Sequence, residues 1–312
     1  MLIALDGTQY HCSKKISCPN CSTRRRGKGD EIEYHHNMLA ATMVAPGHDK
    51  VIPLQPEFIV PQDGADKQDS ESAAAKRWLA AHGARYAHLA PVYLGDDLFS
   101  RQPMCEAVLA QGASFLFVCK PTSHILIQEY LAGVTIPMLE RRVGRGKSHV
   151  IQRYRWLAGV PLRDGKHALS VNWLEMEIVD TKGATTYRNS WVTNLPIDAD
   201  AVAELADCAR ARWKIENETF NTLKNNGYNL EHNFGHGKLN LASVLVSLNR
   251  LAFAMHTVCD IADPLWRNAR QKLGPRYRFF SRLASLTEYL IFPSWDDLLL
   301  TLDFAKQAPL PP

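Results

Sequence analysis

The sequence predicts a mixed α/β fold: a sheet flanked by helices, interrupted by an antiparallel β insertion and closed by a helical C-terminal tail. Three observations predict it. Through the first 121 residues, short apolar runs bounded by turn residues alternate with helical patterns, which favours a sheet-and-helix core. Residues 122–199 change to alternating apolar and polar positions, the period of half-buried antiparallel strands. From residue 200 onward the apolar spacing becomes helical. The chain's 312 residues, 46% apolar and 22% charged, suit one large domain or two small ones.

Each element has its own warrant. Leu2-Ile3-Ala4-Leu5 reads as a buried strand ending at the turn Asp6-Gly7-Thr8, and residues 9–36 as a basic, Cys-containing excursion. Met38 to Val44 and Val51 to Leu54 read as strands joined by Pro46-Gly47-His48-Asp49. Ser70 to His82 reads as a helix with Ser70 or Ser72 at its cap. The acids Asp69 and Glu71 near its start suit the helix dipole. A strand over Ala90 to Leu94 ends in Gly95-Asp96-Asp97, then a helix over Gln102 to Gln111 and a strand over Ser114 to Cys119 complete residues 1–121. Strands at Val150 to Trp156, His167 to Ile178 and Thr186 to Thr193 make the insertion. Asp198 or Asp200 caps one long helix reaching about Asn225, and a second spans 239–259, so residues 200–260 finish the core. Residues 261–312 form a basic helical segment with a last helix at Trp295 to Phe304.

The net charge is only +4, but cations cluster. Residues 14–28 hold Lys14, Lys15, Arg24, Arg25, Arg26 and Lys28 without an acid. Residues 137–166 hold eight cations, Arg141, Arg142 and Arg145 among them, against Glu140 and Asp164. Residues 266–286 hold six and no acid. Such blocks either track a polyanion, phosphate first, or are solvated faces. Arg276-Tyr277-Arg278-Phe279-Phe280 would stack on unpaired bases or pack the last helix. The best apolar run, 239–259, is broken by Asn249 and Arg250, so no membrane span is expected. Met1 to Leu5 is too short for a signal peptide, and a cytoplasmic chain follows. Seven cysteines argue against a disulfide framework, and Cys105, Cys119, Cys208 and Cys259 sit in apolar patterns as packing residues.

Two strands end in an acid, Asp6 and Asp96, and a helix supplies a third. At 100° per residue Glu216 falls within about 20° of Leu205, inside the apolar stripe that Val202, Ala209, Phe220 and Leu223 share. A carboxylate there is costly unless paired, with Arg212 one turn back, or bound to a cation. Three converging carboxylates suit hard divalent cations and hence phosphodiester chemistry.

Arg212-Trp213-Lys214-Ile215-Glu216, with Phe220 and Leu223-Lys224 after it, resembles the signature around the catalytic Glu of prokaryotic insertion-sequence DDE transposases. Leu5-Asp6-Gly7-Thr8 resembles their first Asp motif and Leu94-Gly95-Asp96-Asp97-Leu98-Phe99 their second. Ser190-Trp191-Val192-Thr193-Asn194-Leu195-Pro196 resembles the strand closing their β insertion. The likeness covers roughly residues 1–260 and implies an RNase H-like catalytic core. It implies two Mg²⁺ (or Mn²⁺) ions held by Asp6, Asp96 and Glu216, and phosphate-gripping roles for Arg212 and Lys224. The implied partners are double-stranded DNA, as transposon ends and target, and a second copy in an active homodimer at the nucleoid. Two positions depart from the signature: Ala209 stands where the family has Tyr, and Leu223 where it has Lys, with Lys224 one residue later. Family members also carry an N-terminal DNA-end-binding domain, whereas this sequence starts five residues before Asp6. The alternatives are therefore a truncated, non-catalytic DNA-binding remnant, or a same-fold nuclease that cuts without joining.

Cys18-Pro19-Asn20-Cys21 is a C-x₂-C pair with Cys12 before it and His35 and His36 after it. Four ligands from this set, Cys12, Cys18, Cys21 and His35, would make a structural zinc site. The other possibility is ordinary reduced thiols in a loop.

Overall fold

The computed structural model describes residues 1–26, 31–61, 69–145, 148–231 and 236–304. Lys28 and Lys147, Lys67 (which from the sequence would reach substrate phosphate or be a solvated lysine), and the side chains of Arg26 and Arg145 lie outside the described residues. The apolar opening of the chain forms a strand, but β1 (Leu2–Ser13) runs well past the expected turn. It pairs antiparallel with β3 (Glu31–Val44), to which β2 (Ser22–Arg26) is added on the outside. The expected excursion over residues 9–36 is thus largely an extension of the core sheet. Its alternation is masked in the sequence because His, Cys and Arg occupy positions where strands usually carry Val or Ile.

The short strands β4 (Ile52–Pro53) and β5 (Glu57–Ile59) also pair with β3. On the other side of β1 lie β6 (Val92–Gly95) and β7 (Ser114–Val118), both parallel. The insertion supplies β8 (Met138–Arg145), β9 (Ser148–Pro161), β10 (Ser170–Val179) and β11 (Thr185–Thr193), in successive antiparallel pairs. Because β11 pairs with β7, the insertion continues the core sheet. The main path runs β2-β3-β1-β6-β7-β11-β10-β9-β8.

Helices cover both faces of the sheet. Ile3, Leu5, Leu39 and Ala41 meet α1 (Glu71–Tyr86) and α2 (Gln102–Leu109) on one face, where Trp78 is fully buried. Ser70 caps α1 by accepting from the N–H of Ala73, as expected. The short α3 (Ile125–Ala132) adds Ile127 and Leu131 to the same core. Ala4, Met38, Ala40 and Leu94 point to the other face. There they meet α4 (Val202–Arg210), the helical turns after it, α5 (Asn221–Asn225) and α6 (Leu241–Ala262). Each large side chain buried this way contributes roughly 1.5–3 kcal/mol.

The basic segment is two helices, α7 (Pro264–Leu273) and α8 (Arg276–Tyr289), packed with α9 (Trp295–Phe304) around Trp266, Phe279 and Leu302. Phe279 is fully buried, so it packs instead of stacking on bases. Where this bundle meets α6, His256 stacks on Trp266 and its Nδ1 lies 2.7 Å from the Tyr228 hydroxyl. Burial, then Arg276, lowers His256 to about 4. The unfolded chain takes up this proton near pH 6.5 and the folded one does not, so stability is lost as pH falls through that interval. Replacing His256 by Asn is expected to remove this loss: the stability of the parent relative to the variant should fall by up to about 1.4 kcal/mol per pH unit from pH 6.5 to 4.5, read from denaturant unfolding of both at each pH.

Candidate active site and metal centre

Two parallel strands set the first two acids side by side. Ala4 on β1 is in register with Leu94 on β6, so Asp6, and Asp96 just past the end of β6, each two residues on, fall at the same level. Adjacent strands lie about 4.8 Å apart. Asp6 shares the sheet face of Ala4 and is turned towards the helical segment after α4. Its Oδ1 accepts from the Gly7 N–H, and its Oδ2 is 3.4 Å from Arg212.

That segment is not the single long helix expected. α4 stops at Arg210; a tight turn spans Ala211–Trp213, and a wide π turn spans Ile215–Phe220 before α5. The widened turn lets Ile215 and Phe220, five residues apart, both face the core. Glu216 thereby leaves the apolar stripe. Its side chain is 52% exposed, and Arg212 donates to its Oε1 at 2.7 Å. The expected Arg212 pair is present, and the same guanidinium also reaches Asp6. Such wide turns inside helices recur at functional sites.

A fourth carboxylate arrives from the opposite face. Gly7 has no side chain, and a Cβ there would lie 2.0 Å from Glu71 Oε1. The glycine therefore allows Glu71, in the first turn of α1, to lie beside the two aspartates. Sequence reasoning gave Glu71 only a helix-dipole role. The acids repel one another. Burial raises the Asp6 carboxyl to about 7 despite Arg212, with Glu216, Asp96 and Glu71 adding to the rise. Burial and Asp96 raise Glu71 as well.

Asp97 is committed elsewhere. It accepts from the Lys120 N–H at 2.6 Å and from the Ser123 hydroxyl, and lies 3.6 Å from His124. It braces the turn after β7, which leaves Asp96 as the acid beside Asp6. Lys224 pairs with Glu231 at 2.7 Å. Arg141 and Arg142 stand on β8, six strands from β1 along the sheet path, roughly 30 Å away. Arg141 is exposed, and Arg142 Nη2 lies 3.1 Å from His149 Nδ1.

A second cluster lies where the β1–β3 hairpin meets the start of α6. Cys18, Cys21, His36 and His236 place their ligating atoms within 4.8 Å of one another, a set able to hold a metal ion. The sulfurs are 3.8 Å apart, Cys21 Sγ is 3.4 Å from each imidazole Nε2, and Cys18 Sγ is 3.5 Å from that of His36. The two Nε2 atoms are 2.9 Å apart. His236 Nδ1 lies 2.9 Å from the Gly237 carbonyl; donating its proton there leaves Nε2 free to ligate. Burial, then His236, lowers His36 to about 4, so the ring is neutral, the state that binds metal.

Cys12 and His35 are not part of it. They pair with each other across β1 and β3, and strand alternation turns His35 away from the side His36 faces. Cys12 is exposed beside Arg24. His36 follows the face of Met38 and Ala40, a signal present in the two-residue period. His236 did carry a signal: with His232 it forms an H-x₃-H pair, the spacing that accompanies C-x₂-C in zinc sites, set some 200 residues away from the cysteines. Asn20 and Tyr10 secure the same junction, through Leu239, Asn240 and Ser243.

No protein-family model matches this chain, and no match is found among curated proteins.

Proposed function

We propose that this chain is a DNA transposase of the DDE type, cleaving phosphodiester bonds at transposon ends and joining them to target DNA in a metal-dependent reaction. The observation that carries the reading is the gathering of Asp6, Asp96 and Glu216 from three separate elements, with Arg212 touching two of them. An all-carboxylate donor set suits Mg²⁺ or Mn²⁺. When bound, two such ions would supply charge for the attacking and leaving oxygens. Asp6, Asp96 and Glu216 would hold them, and Glu71 stands close enough to add negative charge behind the pair. Arg212 would grip the phosphate that enters, exchanging a carboxylate partner for a phosphate oxygen. Arg141 and Arg142 would hold the backbone roughly 30 Å away, about nine base pairs along a duplex.

The test is cleavage and joining of duplex DNA carrying the element's flanking ends, with Mg²⁺ or Mn²⁺, alongside Glu216→Ala. Joined product from the parent and none from the variant is the expected result. Cleavage without joining would make the chain a same-fold nuclease, and binding without cleavage a remnant.

The Cys18–Cys21–His36–His236 cluster fits structural zinc in this reading. A zinc tetrahedron with Zn–S near 2.3 Å and Zn–N near 2.0 Å has edges of about 3.8 Å (S···S), 3.5 Å (S···N) and 3.3 Å (N···N). The S···S edge and three of the four S···N edges match the separations in the structure, the fourth, Cys18 to His236, lies within 4.8 Å, and the N···N edge exceeds the His–His separation by a few tenths of an ångström. Zinc would fasten the hairpin to the chain that leaves α5, twenty residues beyond Glu216.

A further inference from the structure

Among the described residues, one helix, Leu241–Ala262, is long and apolar enough to cross a membrane by length and composition. Its two faces differ. Val246, Arg250, Phe253 and Thr257 are buried against the sheet, where Arg250 Nη2 donates to the carbonyls of Ala41 and Leu54 at 3.3 and 2.8 Å. Leu241, Val244, Leu248, Leu251, Met255 and Val258 form the opposite stripe, each 44–58% exposed. The stripe carries no charged side chain.

The spacing of these six residues alternates three and four, the a/d repeat of a helix that packs on another helix. It is also symmetric about its midpoint. A two-fold axis between Asn249 and Arg250 sets Leu241 against Val258, Val244 against Met255, and Leu248 against Leu251. We infer that a second copy of this chain docks on this stripe, antiparallel, through a two-fold α6–α6 seam. An isologous contact of this kind closes on itself.

Charge complementarity favours that occupant. The antiparallel arrangement brings exposed Lys238 to the other copy's Ile261, at the C-terminal end of its helix. Carbonyls there favour a cation, whereas at its own helix start Lys238 is at the wrong pole. A bilayer fits less well: spanning would pull Arg250 from its carbonyls, and an interfacial helix usually carries cations along its polar flank. The inference does not depend on the chemistry of the acids.

Light scattering behind size exclusion on the full chain is expected to give the mass of two chains at micromolar concentration. Leu251→Glu should give one chain, with unchanged circular dichroism. Should that variant fail to fold, a mixture of Leu248→Cys and Leu251→Cys chains tests the register. Under mild oxidant it should form a cross-linked pair several-fold faster than either chain alone. A monomeric parent, a dimer that survives Leu251→Glu, equal cross-linking in all three samples, or a monomer that sediments with phosphatidylglycerol vesicles would each overturn the inference.

Discussion

Asp6→Asn is expected to remove metal-dependent DNA cleavage, lowering its rate at least about a thousandfold, or about 4 kcal/mol of barrier. The amide keeps the acceptor that Asp6 offers to the Gly7 N–H but lacks the charge a divalent cation needs. The fold should not suffer. The folded state holds the Asp6 proton up to about pH 7. An unfolded chain releases it near 4, so the contribution of Asp6 to stability is lost as pH rises through that window, and Asn does not titrate. The variant should therefore melt no lower than the parent at pH 8. Asp97→Asn is expected to behave oppositely, keeping cleavage while costing about 1–2 kcal/mol, because Asp97 satisfies the turn at Lys120 and Ser123. Gel-based cleavage and thermal melts of the two variants check both statements. Cleavage retained by Asp6→Asn would defeat the metal assignment.

The second large effect is expected at the cysteine–histidine cluster. The parent should hold one zinc per chain. Cys21→Ser should release it and lower the melting temperature by about 10 °C, since a structural metal's binding energy is folding energy. Cys12→Ser and His35→Gln should leave both unchanged. Metal analysis of the purified chains, with a chromogenic chelator to follow release, measures this. Zinc retained by Cys21→Ser but lost by Cys12→Ser would return the site to the other face of β3.

Much of this architecture was legible before any coordinates. Leu2 to Leu5, Ser114 to Cys119 and Trp295 to Phe304 announced themselves through apolar runs and turn residues, and Ser70 announced the start of α1. What escaped were features that depend on distant partners. The strand character of residues 9–13 and 22–26 rests on pairing with β3, not on β-branched side chains. Met138–Arg145 read as a cationic stretch because its partner β9 supplies the ladder. The helix after Val202 looked continuous because nothing in Arg210 to Phe220 breaks a helix. Only packing of both Ile215 and Phe220 against the sheet opens the wide turn that turns Glu216 outwards. The acids Asp6, Asp96 and Glu216 were visible as types at element ends. Glu71 was not, since its approach depends on the missing side chain of Gly7.

The run of strands from β2 to β8 has one more consequence. An open sheet presents unpaired N–H and C=O groups along its borders, where another chain can add itself. Here Arg24 and Arg25 stand on β2 at one border, and Arg141 and Arg142 on β8 at the other. Two chains meeting border to border would bring like charges within a strand's width of each other. Those arginines are therefore expected to oppose growth into a fibre. Neutralising either row should show itself first as concentration-dependent aggregation.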